Sequence, residues 1–314
     1  MDLKAEEGLK LFKELVSVAD VVVDNFSQGV TKRLGIDHQS LKKVNPEIIT
    51  CSISGFGDTE VNRPAYDNLI QGYAGAMSIT GTDKENPVKS GIPIADLGAG
   101  LYAVIGILSA LQSRDKNDSG EHVDISMLDT QVSLLTYMAT MHFLSGEDPE
   151  PIGNQHMNHV PFNSYKTSNS FIQIGVVAED FWPSLIKALD LKQLDTEENK
   201  VRIGRLKNRE IIDQAVQGVF ITNTTEYWLK ILQEHRVPCG PINTLSETFQ
   251  DADLLKRNMI VEILQDSGAT VKMPGNPVKI SNHDEEFKRA PILGEHTNEV
   301  FKNWLDKDIS VEED

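Results

Sequence analysis

The first part of the chain alternates between helical and strand periodicity. Residues 5–19 place apolar side chains at helical spacing, with Glu and Lys between them. They run into the β-branched stretch 19–23, and a second apolar stretch, 48–53, follows after two short predicted helices. Strands that are separated by helices at this pitch form βαβ units, in which the strands are parallel. The sequence therefore predicts an α/β fold with a Rossmann-like parallel sheet.

The pattern changes near residue 146. Before it, the periodicity predicts helices over 66–79, 97–112 and 128–144 and a strand over 121–125. Gly146 to Asn158 is rich in Gly, Pro, Asn and acidic residues, which is typical of a domain boundary. A hairpin over 164–177, several helices and a turn at 237–241 follow. We therefore predict a large domain over 1–147, a small domain over 148–250 and a C-terminal segment, 251–314, that returns to the large domain.

Composition restricts the partners and the compartment. The 314 residues include 30 Lys and Arg against 47 Asp and Glu, a net charge of -17, whereas nucleic-acid binding needs a basic surface. The first residues are acidic and amphipathic, unlike a signal peptide, and the apolar run Leu97–Leu111 is too short to span a bilayer. Cys51 and Cys239 form no CxxC pair. We expect a cytoplasmic protein with no nucleic-acid partner, no membrane partner and no metal.

Asp96 is the best local candidate for chemistry. It directly precedes the predicted apolar helix, where a carboxylate caps free N–H groups and meets the positive end of the helix dipole. Those donors favour the ionised form. Gly98 and Gly100 follow, and such small residues let a ligand approach a nucleophilic carboxylate closely. A plain N-cap explains the same residue, and this stretch alone favours the N-cap.

A second candidate is the loop after the first predicted strand. Asn25 and Phe26 begin this loop, and Arg33 follows one helical turn later. Doubly wound sheets bind ligands at the carboxyl ends of their strands, and an arginine there pairs well with phosphate. A polar turn with a surface arginine fits equally well. Tyr66 begins a later predicted helix, where it either donates a hydrogen bond into a cleft or, more often, packs in the core.

Two other polar groups fit structural roles better than catalytic ones. Asp124, Ser126 and Asp129 alternate along a strand into a helix start, which favours a helix cap over a Ser/Asp catalytic pair. His156 and His159 lack a third ligand and a helix to hold a metal ion. We therefore expect a cap at the first group and no metal at the second.

A series of short motifs runs along essentially the whole chain. They include ADVVVDNF at 19–26, SISGFG at 52–57, RPAYD at 63–67, GNQH at 153–156, VPCGPIN at 237–243 and APILGEHT at 290–297. In this order, and together with the Asp96 segment, they resemble the class III (family III) CoA-transferases. This family includes formyl-CoA transferase, the carnitine CoA-transferases and α-methylacyl-CoA racemase. No single motif decides the matter, but so many in order are highly specific.

The resemblance implies an activity and a site. The enzyme moves CoA from an acyl-CoA, such as succinyl-CoA or another short-chain acyl-CoA, to a small carboxylic acid, with no permanently bound cofactor. Asp96 is implied as the nucleophile, which forms an aspartyl anhydride and an aspartyl-CoA thioester. Backbone N–H groups near Gly98 and Gly100 are expected to stabilise the oxyanions. The CoA contacts that carry over are Asn25, Phe26, Arg33, Ala65 and Tyr66.

The resemblance leaves two alternative functions open. Racemase members carry a His at the position of Tyr66, and a tyrosine does not readily exchange protons with carbon near neutral pH. This favours transfer over an α-methylacyl-CoA racemase-like isomerase. The family's opening strand and helix precede the point where Met1 falls, so the second alternative is a truncated, non-catalytic CoA-binding relative. An interlocked homodimer is also implied.

Overall fold

The computed structural model describes residues 1–61 and 63–307. Contacts between residues divide the chain into two compact units. Unit 1 is Met1–Gly153 together with the C-terminal residues from Leu293, and unit 2 is Asn154–Ile292.

Unit 1 is built on a parallel sheet. Its elements are α1 (Glu6–Val16), β1 (Val21–Asp24), α2 (Val30–Leu34), α3 (His38–Leu41), β2 (Ile49–Ser54), α4 (Asp67–Tyr73), α5 (Ile94–Asn117), β3 (His122–Ser126), α6 (Met127–Leu134), α7 (Tyr137–Ser145) and α14 (Thr297–Leu305). The strand order is β1-β2-β3, with Val21 opposite Ile49 and Thr50 opposite His122. The predicted α/β fold with a parallel sheet is confirmed.

The two faces of this sheet differ in polarity. One face packs on α5 so closely that a Cβ on Gly106 would lie 2.6 Å from Cγ1 of Val123. The opposite face is polar near β2. There Oγ of Ser52 donates to Oδ2 of Asp24 at 2.6 Å, and Oγ1 of Thr50 lies 2.8 Å from Nδ1 of His122. One hydrophobic core of unit 1 therefore lies between the sheet and the helices α4, α5 and α6.

The helix α5 is longer at both ends than the sequence predicts. It begins at Ile94, with Pro93 as its N-cap, so the predicted place of Asp96 before the helix is wrong. The 24 residues of α5 are long and apolar enough to cross a bilayer. The sequence analysis considered only Leu97–Leu111, and its prediction that this apolar run is too short to span a bilayer is therefore also wrong. α5 packs on β2, β3, α4 and α6. Only 28% of its apolar stretch is buried, so most of that stretch is exposed.

The predicted helix 128–144 is interrupted. Thr136 has φ 50° and ψ −121°, which no α-helix allows, and α6 ends before it while α7 begins after it. The predicted cap at the start of α6 is confirmed, since Oγ of Ser126 accepts a hydrogen bond from the backbone N–H of Asp129 at 3.0 Å.

Unit 2 mixes helices with antiparallel sheets. Its elements are β4 (Phe162–Lys166), β5 (Phe171–Gly175), α8 (Phe181–Leu189), α9 (Arg202–Lys207), α10 (Arg209–Phe220), α11 (Thr225–Glu234), β6 (Cys239–Pro241), α12 (Leu245–Thr248), α13 (Ala252–Lys256), β7 (Ile260–Leu264) and β8 (Thr270–Pro274). The predicted hairpin is confirmed as β4 and β5. The turn predicted at 237–241 is wrong in part, because its second half forms β6 and pairs with β5.

Candidate active site

A cavity of about 500 Å³ opens in unit 1 beside the ends of β1 and β2 and the first turns of α5. Most of the site residues that the sequence predicts line it: Asn25, Phe26, Ala65, Tyr66, Asp96 and Gly100. This is the edge at which open α/β sheets bind ligands, because loops replace the hydrogen-bonded strands there. The fold thus brings three separate sequence segments to one cavity.

The loop after β1 is tied to the neighbouring strand. Nδ2 of Asn25 donates to the backbone oxygen of Ile53 at 2.5 Å, and Oδ1 of Asp24 accepts from the backbone N–H of Phe26 at 3.1 Å. These bonds leave Oδ1 of Asn25 without a partner among the described residues. Phe26 remains 42% exposed. The loop therefore presents one amide oxygen and one aromatic face to the cavity.

The segment before α4 passes very close to the end of β2. A Cβ on Gly55 would lie 2.2 Å from Cβ of Ala65, so only glycine permits this approach. The approach sets Tyr66 at the N-cap of α4, where the residue is 69% exposed. Its hydroxyl has no hydrogen-bond partner in the described part of the chain. Tyr66 is thus a donor on the cavity wall, not a core residue.

Asp96 lies in the first turn of α5 and faces the cavity. Its carboxylate accepts no hydrogen bond from any described residue. Asp96 is exposed, but its partial desolvation at the cavity wall, and after it the nearby negative charge of Asp67, raise the pKa of Asp96 above the ordinary value. A carboxylate with a raised pKa is a stronger base and a stronger nucleophile than an ordinary one. Asp96 is therefore available for covalent chemistry.

A second carboxylate holds the helix that carries Asp96. Oδ1 of Asp67 accepts from the backbone N–H of Ala95 at 2.9 Å, and Oδ2 accepts from Nε2 of Gln71 at 2.7 Å. Oε1 of the buried Gln71 accepts in turn from the backbone N–H of Ser90 at 2.9 Å. Asp67 thus performs the capping role that the sequence analysis considered for Asp96. The sequence analysis missed it, since only the Asp67–Gln71 spacing is visible locally.

Arg63 is a further residue that sequence reasoning missed. Its guanidinium carbon lies 4.3 Å from the ring centroid of Tyr73 and 4.6 Å from that of Phe56. The two rings meet at 76°, so the guanidinium occupies the corner between them. Among the described residues that line the cavity, Arg63 and Asp96 are the charged ones. No local sequence pattern predicts that Arg63 lies between these rings, because the two rings come from different segments.

Two predicted site residues lie away from this cavity. Arg33 is exposed on α2. Gly98 is buried against α6, where a Cβ would lie 2.9 Å from Cγ2 of Thr130. The N–H groups of Gly98 and Gly100 lie beyond the first turn of α5, where the regular helix pattern supplies each with a carbonyl acceptor.

A smaller cavity of about 270 Å³ adjoins the first one. The two share Phe26, Ser27, Gln28 and Ser54, and the smaller one extends over the polar face of the sheet. Together they form a groove that is lined by polar and aromatic side chains. Over residues 1–61 and 63–307, no group of three His, Cys, Asp or Glu side chains is placed to hold a metal ion.

Known proteins match this chain over almost its full length. The sequence model of CoA-transferase family III matches residues 1–297. Succinyl-CoA:glutarate CoA-transferase of Homo sapiens is 30% identical over 309 residues, which cover 97% of this chain and 70% of that protein. Succinate--glutarate CoA-transferase of Agrobacterium fabrum is 32% identical over 304 residues, 96% of this chain and 76% of that protein.

A solved structure agrees with these matches. The crystal structure of a CAIB/BAIF family protein from Brucella suis is similar with a TM-score of 0.84 at 32% identity, and the match covers 96% of this chain and 80% of that one. The predicted resemblance is confirmed. The chain belongs to CoA-transferase family III and is a transferase that moves CoA between an acyl-CoA and a carboxylic acid.

Proposed function

We propose that Asp96 is the nucleophile of this transferase and carries CoA from donor to acceptor as a covalent intermediate. The observation that carries the proposal is that this carboxylate faces the cavity without a protein hydrogen-bond partner in the described part of the chain. The pKa of Asp96 is raised by its partial desolvation and by Asp67. Its neighbour Asp67 has two hydrogen-bond partners and is occupied with holding the helix.

The first half-reaction loads CoA onto Asp96. A carboxylate oxygen of Asp96 attacks the thioester carbonyl of the donor, the C–S bond breaks, and CoA leaves as a thiolate, which gives a mixed anhydride. The thiolate then attacks the aspartyl carbonyl of this anhydride. The anhydride C–O bond breaks, the donor acid leaves as a carboxylate, and CoA is bound to Asp96 as a thioester.

The second half-reaction repeats these steps with the acceptor. The acceptor carboxylate attacks the aspartyl thioester and displaces the CoA thiolate, which forms a second mixed anhydride. The thiolate attacks the acceptor carbonyl, so that the new acyl-CoA forms and Asp96 leaves as a carboxylate. Each step exchanges one activated acyl bond for another, so we expect orientation to supply most of the acceleration.

The groove around Asp96 offers groups that suit CoA. We propose that Phe26, Ala65 and Tyr66 contact CoA along the cavity wall, and that the free amide oxygen of Asn25 accepts a hydrogen bond from it. The contact of Arg33 with CoA stays a prediction. The stabilisation of oxyanions by the N–H groups near Gly98 and Gly100 also stays a prediction. Of these two glycines, Gly100 lines the cavity, and a Cβ there would meet nothing within 4 Å.

The donor and acceptor follow from the relatives. We propose succinyl-CoA, or another short-chain acyl-CoA, as the donor, and a dicarboxylic acid as the acceptor. The support is that the relatives from Homo sapiens and Agrobacterium fabrum are named for succinyl-CoA or succinate and for glutarate. We also propose that unit 1 works as a Rossmann-like domain in an interlocked homodimer, and that the protein is cytoplasmic.

The first prediction concerns the covalent intermediate. The protein is incubated with succinyl-CoA and treated with borohydride, which reduces an aspartyl thioester or anhydride to homoserine, and the peptides are mapped by mass spectrometry. We expect the modification at Asp96, and we expect Asp96→Asn to lose at least about a thousandfold in turnover while it keeps its melting temperature.

Asp129→Asn is the matched control for this experiment, since it removes an exposed carboxylate in the first turn of α6. It is expected to keep both the adduct and the turnover. Full turnover in Asp96→Asn would disprove the proposal. Loss of an α-deuterium label from a chiral acyl-CoA, without any adduct, would indicate a racemase instead, and CoA binding without either reaction would indicate a non-catalytic relative.

A further inference from the structure

We propose that Arg63 binds the free carboxylate of a dicarboxylic substrate, the carboxylate that does not react. The inference rests on the proposed function in one respect, namely that the acyl group reacts at Asp96. It adds a recognition residue at the other charged position of the same cavity. A substrate that carries one carboxylate to Asp96 would then have its second carboxylate held by a guanidinium.

The guanidinium is held in place without using its hydrogen-bond donors. The rings of Tyr73 and Phe56 contact the guanidinium of Arg63 from two sides. No carboxylate and no carbonyl oxygen among the described residues accepts a hydrogen bond from it. An arginine has five N–H donors in a planar fork, the geometry that matches a carboxylate with two parallel hydrogen bonds. The fork of Arg63 is therefore positioned and unoccupied by protein groups.

Electrostatics also favour an anion at this position. An ionised Asp96, the form that the proposed attack requires, repels a second carboxylate that enters the same cavity. Arg63 is the positive charge among the described residues that line this cavity, so it offsets that repulsion. A monocarboxylic substrate leaves the guanidinium in water, whereas a dicarboxylic one pairs with it. Arg63 thus distinguishes the two classes of acid.

The phosphates of CoA are the other anions that could reach a guanidinium. A comparison of succinyl-CoA with butyryl-CoA distinguishes binding of the acyl carboxylate from binding of the phosphates. Both ligands have the same phosphates and a four-carbon acyl chain, but only succinyl-CoA ends in a carboxylate. Binding is measured by isothermal titration calorimetry in the Asp96→Asn background, in which neither ligand turns over. The measurement therefore does not depend on the covalent mechanism, whose failure would show in the trapping experiment.

The expected result is a change in the ratio of the two affinities. The affinity for succinyl-CoA should exceed that for butyryl-CoA by about 10-fold or more, as a charge-assisted hydrogen-bond pair predicts. Adding Arg63→Met should abolish the difference and leave butyryl-CoA binding unchanged. Arg63→Lys keeps the charge without the fork and should give an intermediate ratio. Arg257→Gln, which removes an exposed arginine from the C-cap of α13, is the matched control and should leave the ratio as it is.

Two outcomes would overturn the inference. If Arg63→Met weakens both acyl-CoAs by the same factor, the guanidinium contacts the CoA moiety common to both. If the ratio persists in Arg63→Met and in Arg63→Lys, the free carboxylate is bound elsewhere. Far-UV circular dichroism of each variant checks that the fold is retained, and the Lys variant keeps a cation between the two rings.

Discussion

At the scale of the residue, the site depends on two aspartates with different environments. Asp67 has both carboxylate oxygens occupied by hydrogen bonds, and Asp96 has neither occupied by a described residue. The pKa of Asp96 is raised by its partial desolvation and by the charge of Asp67. One aspartate therefore positions the first turn of α5, and the other is left free to react.

The second prediction concerns the pH dependence that follows from this pair. A nucleophilic Asp96 must be ionised, so kcat/KM is lost as the pH falls through its pKa, and a raised pKa places this loss at higher pH than for an ordinary aspartate. Asp67→Asn removes the negative neighbour, and its amide oxygen still accepts from Ala95. We therefore expect the acid limb of the kcat/KM profile to move to lower pH, with partial desolvation still keeping the pKa above the ordinary value.

Asp129→Asn serves as the control for this profile too, because its charge is not among the causes of the shift at Asp96. Its acid limb should coincide with that of the wild type. An acid limb that stays in place in Asp67→Asn, or moves to higher pH, would show that Asp67 does not act on the nucleophile through its charge.

At the scale of the element, α5 depends on glycine for its distance from the sheet. Gly106 faces Val123 of β3, a β-branched residue with little rotamer freedom, and a Cβ would lie 2.6 Å from Cγ1 of that valine. Gly98 faces α6 in the same way. The close contact on two sides fixes the helix, and with it the position of Asp96 at the cavity.

The third prediction tests this packing. Gly106→Ala gains about 1 kcal/mol of helix propensity but overpacks the contact with β3 by about 1 to 3 kcal/mol, so we expect a net loss of stability. Gly218→Ala in α10 is the matched control, because a Cβ there meets nothing within 4 Å, and it should gain about 1 kcal/mol. Differential scanning calorimetry measures both, and a higher melting temperature for Gly106→Ala would contradict the packing argument.

At the scale of the whole molecule, α5 exposes a large apolar face. Leu101, Val104, Ile105 and Leu108 are all more than half exposed along it. On α7, Phe143 is 81% and Leu144 is 83% exposed. Monomeric proteins rarely leave such contiguous apolar patches in water, since covering them removes unfavourable hydration. This surface supports the proposed homodimer.

The fourth prediction concerns this surface. The wild-type chain of 34.9 kDa should sediment as a dimer, and Leu108→Glu should shift it toward the monomer, because a buried unpaired charge opposes association. Leu264→Glu makes the same change at an exposed leucine of β7 and should leave the dimer intact. A wild-type protein that sediments as a monomer in analytical ultracentrifugation would exclude the dimer.

The sequence by itself determined the parallel sheet, the family and the nucleophile candidate. Helix and strand periods alternate along the chain, and this local pattern is enough to predict βαβ units. The cap at Ser126 was also predictable, since a cap needs only residues next to each other. The three-part division into domains stays a prediction.

Only the tertiary structure decided which residues surround the proposed nucleophile. Asp67 accepts a hydrogen bond from the backbone N–H of Ala95, and Arg63 lies between the rings of Phe56 and Tyr73. The spacing of residues along the chain predicts neither contact. The start of α5 was mispredicted for the same reason, because the N–H of Ala95 is capped from another segment. The physical reason is that these contacts join residues from different segments of the chain. Only the packing of the helices on the sheet brings those segments together.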